Sequence, residues 1–323
     1  MGKRILRVFP SRTSMTPTDP LAFVGEPPLF RPEVGDVDEV HISVTFTWDV
    51  EEGHRLRDAW AQHYAIVKIG GPAIDTEPPG EFIPGLYVKS GVTITSRGCP
   101  RRCPWCFVPK REGAVRELEI KPGWIVQDNN LLATSRGHQE RVFEMLRTQE
   151  RLVSFPGGLD SRLIDDWTTD QLRTLTIGQV FFAADSEAGL GNLEGIRERL
   201  SFLSRRQLRC YVLIGFGGES YEKARARLEA VWGMGFMPFA QLYRDTMHNT
   251  AHRIRYSTEW RALARLWSRP AAMIACQGDD DDTTTRPADT RQAQRAGMHV
   301  RSRAEVQAGQ AGVLAREAGG AGD

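Results

Sequence analysis

The strongest constraint on the fold is a recurrence that begins at Tyr87: short apolar runs of strand length, each followed by a stretch whose apolar residues recur at helical spacing. The strand-like runs fall at residues 92–95, 124–127, 152–155, 180–183, 210–214 and 239–243, and the helical patterns at 135–148, 161–175, 193–204, 221–232 and 258–266. A helix between two strands returns the chain to the same end of the sheet, so consecutive strands run parallel. This predicts an α/β fold, a partial (β/α)6 barrel, with its chemistry at the C-terminal ends of the strands.

Upstream, residues 40–48 alternate without a fault, with Val40, Ile42, Val44, Phe46 and Trp48 on one face and His41, Ser43, Thr45 and Thr47 on the other. A helical spacing over 51–63 and a second apolar run at 66–69 complete a small Rossmann-like β-α-β unit. The Pro/Gly-rich stretch 77–85 reads as a link, which divides the chain into an N-terminal domain at 1–85 and a barrel at 86–275. From 276 to 323 four consecutive aspartates lead into Ala, Gly, Arg and Gln with almost no large apolar residue, a composition that predicts a disordered tail.

Directly after the first barrel strand comes Ser96-Arg97-Gly98-Cys99-Pro100-Arg101-Arg102-Cys103-Pro104-Trp105-Cys106. Three of the five cysteines fall within eight residues as Cys-x3-Cys-x2-Cys, which fits metal ligation in a reducing compartment better than a disulfide framework. Cys99, Cys103 and Cys106 can hold three irons of a [4Fe–4S] cubane and leave the fourth open. Structural zinc is the alternative, but it wants four protein ligands, and the closest further donors are His138 and Cys210. The net charge of +1 does not by itself indicate a nucleic-acid partner, although a local basic patch is compatible with it, and no apolar run approaches the roughly 18 residues of a membrane span. The N-terminus is basic without a leader pattern, so a cytoplasmic protein is expected.

The cysteine spacing, with the aromatic Trp105 before the last cysteine, resembles the motif of the radical S-adenosylmethionine (radical SAM) superfamily, and the resemblance extends over about 87–269 through the order of strands. It implies that the open iron chelates the amino and carboxylate groups of S-adenosyl-L-methionine. One electron then cleaves the sulfonium to methionine and a 5′-deoxyadenosyl radical that abstracts hydrogen from a substrate. A flavodoxin or ferredoxin-type donor is the implied partner. The front unit is similar to the cobalamin-binding-like domain of one branch, but the Asp-x-His-x-x-Gly signature for cobalt ligation is missing, so cobalamin is not predicted. Extra cysteines for a second cluster are missing as well, which implies one cluster.

The resemblance also points to residues around S-adenosylmethionine. Asp128 and Asn129, in Gln127-Asp128-Asn129-Asn130, resemble the acceptor variant that holds the methionine amine; the same run is also a good turn. Arg162 has the fork geometry for a carboxylate, while Asp160 or Ser161 can cap the next helix. Asp185 is expected at the ribose or as a helix cap. Gly215, in Gly215-Phe216-Gly217-Gly218-Glu219, is expected to let adenine approach or to serve a tight turn. Gln241 lies on the strand that would offer backbone groups to adenine. His248 and His252 read as solvated, and Cys210 as core. A group-transfer enzyme acting on a nucleotide or RNA, and a non-catalytic iron–sulfur or zinc module, are the competing readings.

Overall fold

The structure, a computed structural model, describes residues 3–30, 34–75, 82–244 and 254–278. It is a mixed α/β protein whose two larger sheets are wholly parallel and belong to one compact unit. Asp245, His248 and His252 lie outside the described residues, as does the tail from 279 onward.

The N-terminal sheet contains β1 (Ile5–Phe9), β2 (Ala22–Val24), β3 (Glu39–Ser43) and β4 (Val67–Gly70), in the order β2-β1-β3-β4. Helix α1 (Val50–Ala61) joins β3 to β4, so the expected β-α-β unit is present inside a larger sheet. Leu6, Val8, Val40 and Ile42 pack with Leu56 and Trp60 of α1 into a core of their own. The helix can lie close because Gly53 has no Cβ: one placed there would sit 2.5 Å from Val44. The strand expected over 40–48 ends at Ser43, and Thr47–Asp49 already turns as a short 3-10 helix into α1. Glu51 and Glu52 in the first turn favour the helix start electrostatically, which competes with the alternation.

The second sheet is assembled from β5 (Val92–Thr93), β8 (Ile125–Val126), β9 (Val153–Phe155), β10 (Ile177–Ala183), β11 (Leu208–Ile214) and β12 (Met237–Leu242), side by side in chain order. Between β5 and β8 the chain makes a two-stranded antiparallel ladder of β6 (Ser96–Arg97) and β7 (Arg116–Glu117), with the short α2 (Val108–Arg111) inside it. Helices α3 (Arg136–Arg147), α4 (Asp166–Arg173) and α7 (Tyr221–Gly233) start at side-chain caps: Ser135 accepts from His138 N, Asp165 from Thr168 N and Ser220 from Lys223 N. One face of the sheet, including Val180, Phe182, Leu208, Cys210 and Val212, joins helix residues such as Val142, Leu172 and Leu228 in the main core.

Three expectations are corrected. The helix over 193–204 is instead α5 (Glu187–Gly191) and the single turn α6 (Ile196–Arg199), split at Gly195, whose φ of +73° is left-handed. That over 161–175 begins as a 3-10 turn, and α4 starts only after the Asp165 cap. Cys276 and Gln277 are not tail: after α8 (Thr258–Leu266), they end the last helix, α9 (Pro270–Gln277), which buries Met273. Among the described residues, no helix is long and apolar enough to cross a membrane.

Candidate functional site

The β6–β7 ladder pairs Ser96 with Glu117 and Arg97 with Arg116, closing the neck of the loop that carries the cysteines. At the neck Gly98 has φ +85°, and a Cβ there would lie 2.1 Å from the carbonyl oxygen of Ala114, so only glycine fits. Cys99 N donates to Gly113 O at 3.2 Å, and Cys106 N to Cys103 O at 3.0 Å, which turns the last two cysteines back on one another. Glu112, buried at the base, accepts from Arg116 at 2.8 Å and faces Arg111 at 3.5 Å and Arg97 at 3.8 Å. Neither the ladder nor this carboxylate was legible in the sequence, because two-residue strands leave no periodicity.

The loops after β8 and β9 grip this one from below. Asp128 is 2 % exposed, and its carboxylate accepts from Thr95 N and Thr95 Oγ1 at 2.6 Å and from Ser96 Oγ at 2.7 Å. It is an anchor for the strand entering the cysteine loop. Burial pushes its pKa up, against the donors from Thr95 and Ser96. Asn129 accepts from Gly98 N at 3.0 Å. Asn130, to which the sequence gave no role, reaches the cysteines: its Nδ2 donates to Cys99 Sγ at 3.5 Å and to Asp160 at 3.1 Å. Its Oδ1 is buried and accepts from nothing.

Asp160 is the hub beneath the loop, accepting from Arg101 Nε at 3.0 Å and from both Nε and Nη2 of Arg162 at 2.7 and 3.0 Å. Burial works against its charge, but the bonds from Arg162, Arg101 and Asn130 win and hold its pKa below the ordinary value. Arg162 thus stands on Asp160, and the Cys103 and Cys99 thiols add to the rise that Asp160 imposes on its pKa.

On the far side Trp105 Nε1 donates to Asp185 at 3.1 Å, and the other oxygen of Asp185 accepts from Leu213 N at 2.9 Å. Asp185 therefore ties the cysteine loop to the ends of β10 and β11. Burial pushes its carboxyl up, opposed by the Leu213 and Trp105 donors. Trp105 also meets Phe216 edge-on at 5.6 Å, and the two line a cleft of about 640 Å³ with Asp185 and Glu219. Gly215, with φ +80°, faces Tyr256: a Cβ would lie 2.7 Å from that ring. Gln241 is exposed on β12, in register with Leu213, and is one strand removed from the Asp185 contact.

Burial raises the Cys103 thiol pKa, Arg162 opposes, and Cys99 and Asp185 add to the rise. Burial likewise raises Cys106, the Val108 N–H opposes, and Cys103, Cys99 and Asp185 contribute. Cys99 thus acts electrostatically against ionisation of both Cys103 and Cys106. Among the described residues, no three His, Cys, Asp or Glu side chains are grouped to hold a metal ion. A single ion requires its ligands to converge on one point, whereas a cubane takes one thiolate at each of three separate irons. The chain matches no protein-family model and no curated protein.

Proposed function

We propose that this chain is a radical SAM enzyme whose six-stranded parallel sheet is the wall of a partial (β/α)6 barrel, with Cys99, Cys103 and Cys106 holding a [4Fe–4S] cluster at its mouth. The observation that carries the reading is the convergence on one cysteine loop of side chains from successive strand ends: Asn130 after β8, Asp160 after β9 and Asp185 after β10. When bound and reduced by a flavodoxin or ferredoxin-type donor, the cluster supplies the electron that cleaves S-adenosylmethionine.

The chain's own residues set the conditions for that chemistry. The β6–β7 ladder and Gly98 fix the loop, and Arg101 and Arg162, neutralised in part by Asp160, provide positive charge beside the thiolates. Asn130 Oδ1 is a buried acceptor lacking a donor next to Cys99, and such an atom suits an ammonium group like that of the methionine moiety. The Trp105–Asp185–Phe216 cleft is of a size that fits a nucleoside. Asp128 acts by positioning, since its carboxylate is committed to Thr95 and Ser96.

The test is anaerobic reconstitution of the full chain with iron and sulfide, followed by dithionite and S-adenosylmethionine. The expected products are 5′-deoxyadenosine and methionine, lost when any one of the three cysteines becomes alanine. Four-coordinate zinc with no 5′-deoxyadenosine overturns the proposal.

A further inference from the structure

Arg209 of β11 is 6 % exposed and carries no ion pair among the described residues. Leu208 and Cys210 on either side point into the helix-side core, so Arg209 and Tyr211 stand on the opposite face of the sheet. There the Phe181 and Tyr211 rings stack at 4.7 Å, and Tyr211 meets Phe239 edge-on at 5.8 Å. The Arg209 guanidinium lies 5.7 Å from the Phe181 ring and 6.0 Å from that of Phe239. Its hydrogen bonding is thin: Nη1 donates to Met237 Sδ at 3.4 Å, and Nε donates to nothing.

The contrast with the other buried arginines is the point. Arg7 pairs with Asp19 and Arg227 with Glu219, whereas among the described residues no carboxylate lies within ion-pair distance of Arg209. A thioether is a weak acceptor, and contacts to ring faces recover far less than burial of an unpaired charge costs. A guanidinium does not escape by losing its proton. Tyr211 and Phe239 beside it remain partly exposed, so the aromatic face is not sealed.

We infer that Arg209 anchors an oxyanion, and that the substrate of this enzyme carries a carboxylate or phosphate at one end and a flat or apolar body that lies on Tyr211 and Phe239. The inference rests on the radical reading of the cysteine loop. Leu213, four residues further along β11, donates to Asp185, which holds Trp105 of that loop. At roughly 3.3 Å per residue this is a rise of about 13 Å. The substrate is therefore elongated, with its anionic end at Arg209 and its reacting carbon near the cysteine loop.

The experiment uses the full chain with its cluster and follows the unfolding midpoint as chloride is exchanged for inorganic phosphate, or separately for acetate, at constant ionic strength. A saturable rise with phosphate alone assigns a phosphate end, and one with acetate alone a carboxylate end. Arg209→Met is expected to abolish the rise at unchanged iron content, and Arg209→Lys to weaken the apparent affinity at least tenfold. No saturable response in the unaltered protein, or an undiminished one in Arg209→Met, overturns the assignment. If Arg209→Met does not fold, Arg209→Lys decides, and an unchanged affinity there overturns it too. Iron content and 5′-deoxyadenosine formation without substrate report on the cluster separately, so failure of the radical reading is told apart from failure of the anion site.

Discussion

Replacing Asp128 separates two roles that its place after β8 allows. The carboxylate is 2 % exposed and accepts three hydrogen bonds of 2.6 to 2.7 Å from Thr95 and Ser96. Asp128→Ala strands the Thr95 N–H and two hydroxyls in the interior. A buried unsatisfied donor costs about 1–3 kcal/mol, and the hydroxyls can turn to other partners, so a total loss of about 3–5 kcal/mol follows. Asp128→Asn keeps one acceptor oxygen and restores part of this, leaving a loss of about 1–2 kcal/mol. Urea unfolding of the apoprotein measures both, and iron content after reconstitution falls in the same order, because Thr95 and Ser96 lead into Cys99. A residue that instead held the amine of S-adenosylmethionine would change stability by no more than about 0.5 kcal/mol and weaken only that ligand. That pattern would overturn the anchoring role of Asp128.

Gly98→Ala forces a side chain onto the Ala114 carbonyl at a left-handed φ, so reconstituted iron is expected to fall severalfold, while Gly113→Ala, where a Cβ meets nothing within 4 Å, keeps more of it. Trp105→Phe removes the donor to Asp185 and costs about 1–3 kcal/mol in urea unfolding, with iron after reconstitution falling less than in Asp128→Ala, because one bond to the loop is lost and not three. Glu39, 5 % exposed, is held at a pKa of about 2 by hydrogen bonds from Lys3, Lys68 and His41. Because its folded pKa is depressed, its stabilisation is complete above the ordinary 4.5 and is lost as pH falls towards about 2. Glu39→Gln should flatten acid unfolding in that window, and an unchanged acid limb counts against the arrangement.

The main sheet was legible because each strand buries one face under helices, and that burial writes apolar runs bounded by caps. Helix α8 falls at 258–266, as expected, with Ser257 as its cap. β1 and β2 escaped notice: Arg7 interrupts the first, and the second is three partly exposed residues. At the site, the cysteines and Trp105 stand out through spacing. Asn130 and Asp160 do not, since an Asx residue after a strand reads equally well as a turn or cap. Only the fold brings them beneath Cys99. The unpaired charge of Arg209 was invisible for a related reason: in sequence it is one polar residue in an alternating strand.

In the function proposed for this chain, three thiolates hold a cubane with one iron open. Electron paramagnetic resonance of the reduced, anaerobically reconstituted chain, recorded with and without S-adenosylmethionine, addresses it directly. A cluster signal that shifts on adding S-adenosylmethionine, and is absent when Cys99, Cys103 and Cys106 are all alanine, is the expected result. A signal indifferent to S-adenosylmethionine, or one that survives the triple replacement, overturns the assignment of an open iron held by these cysteines.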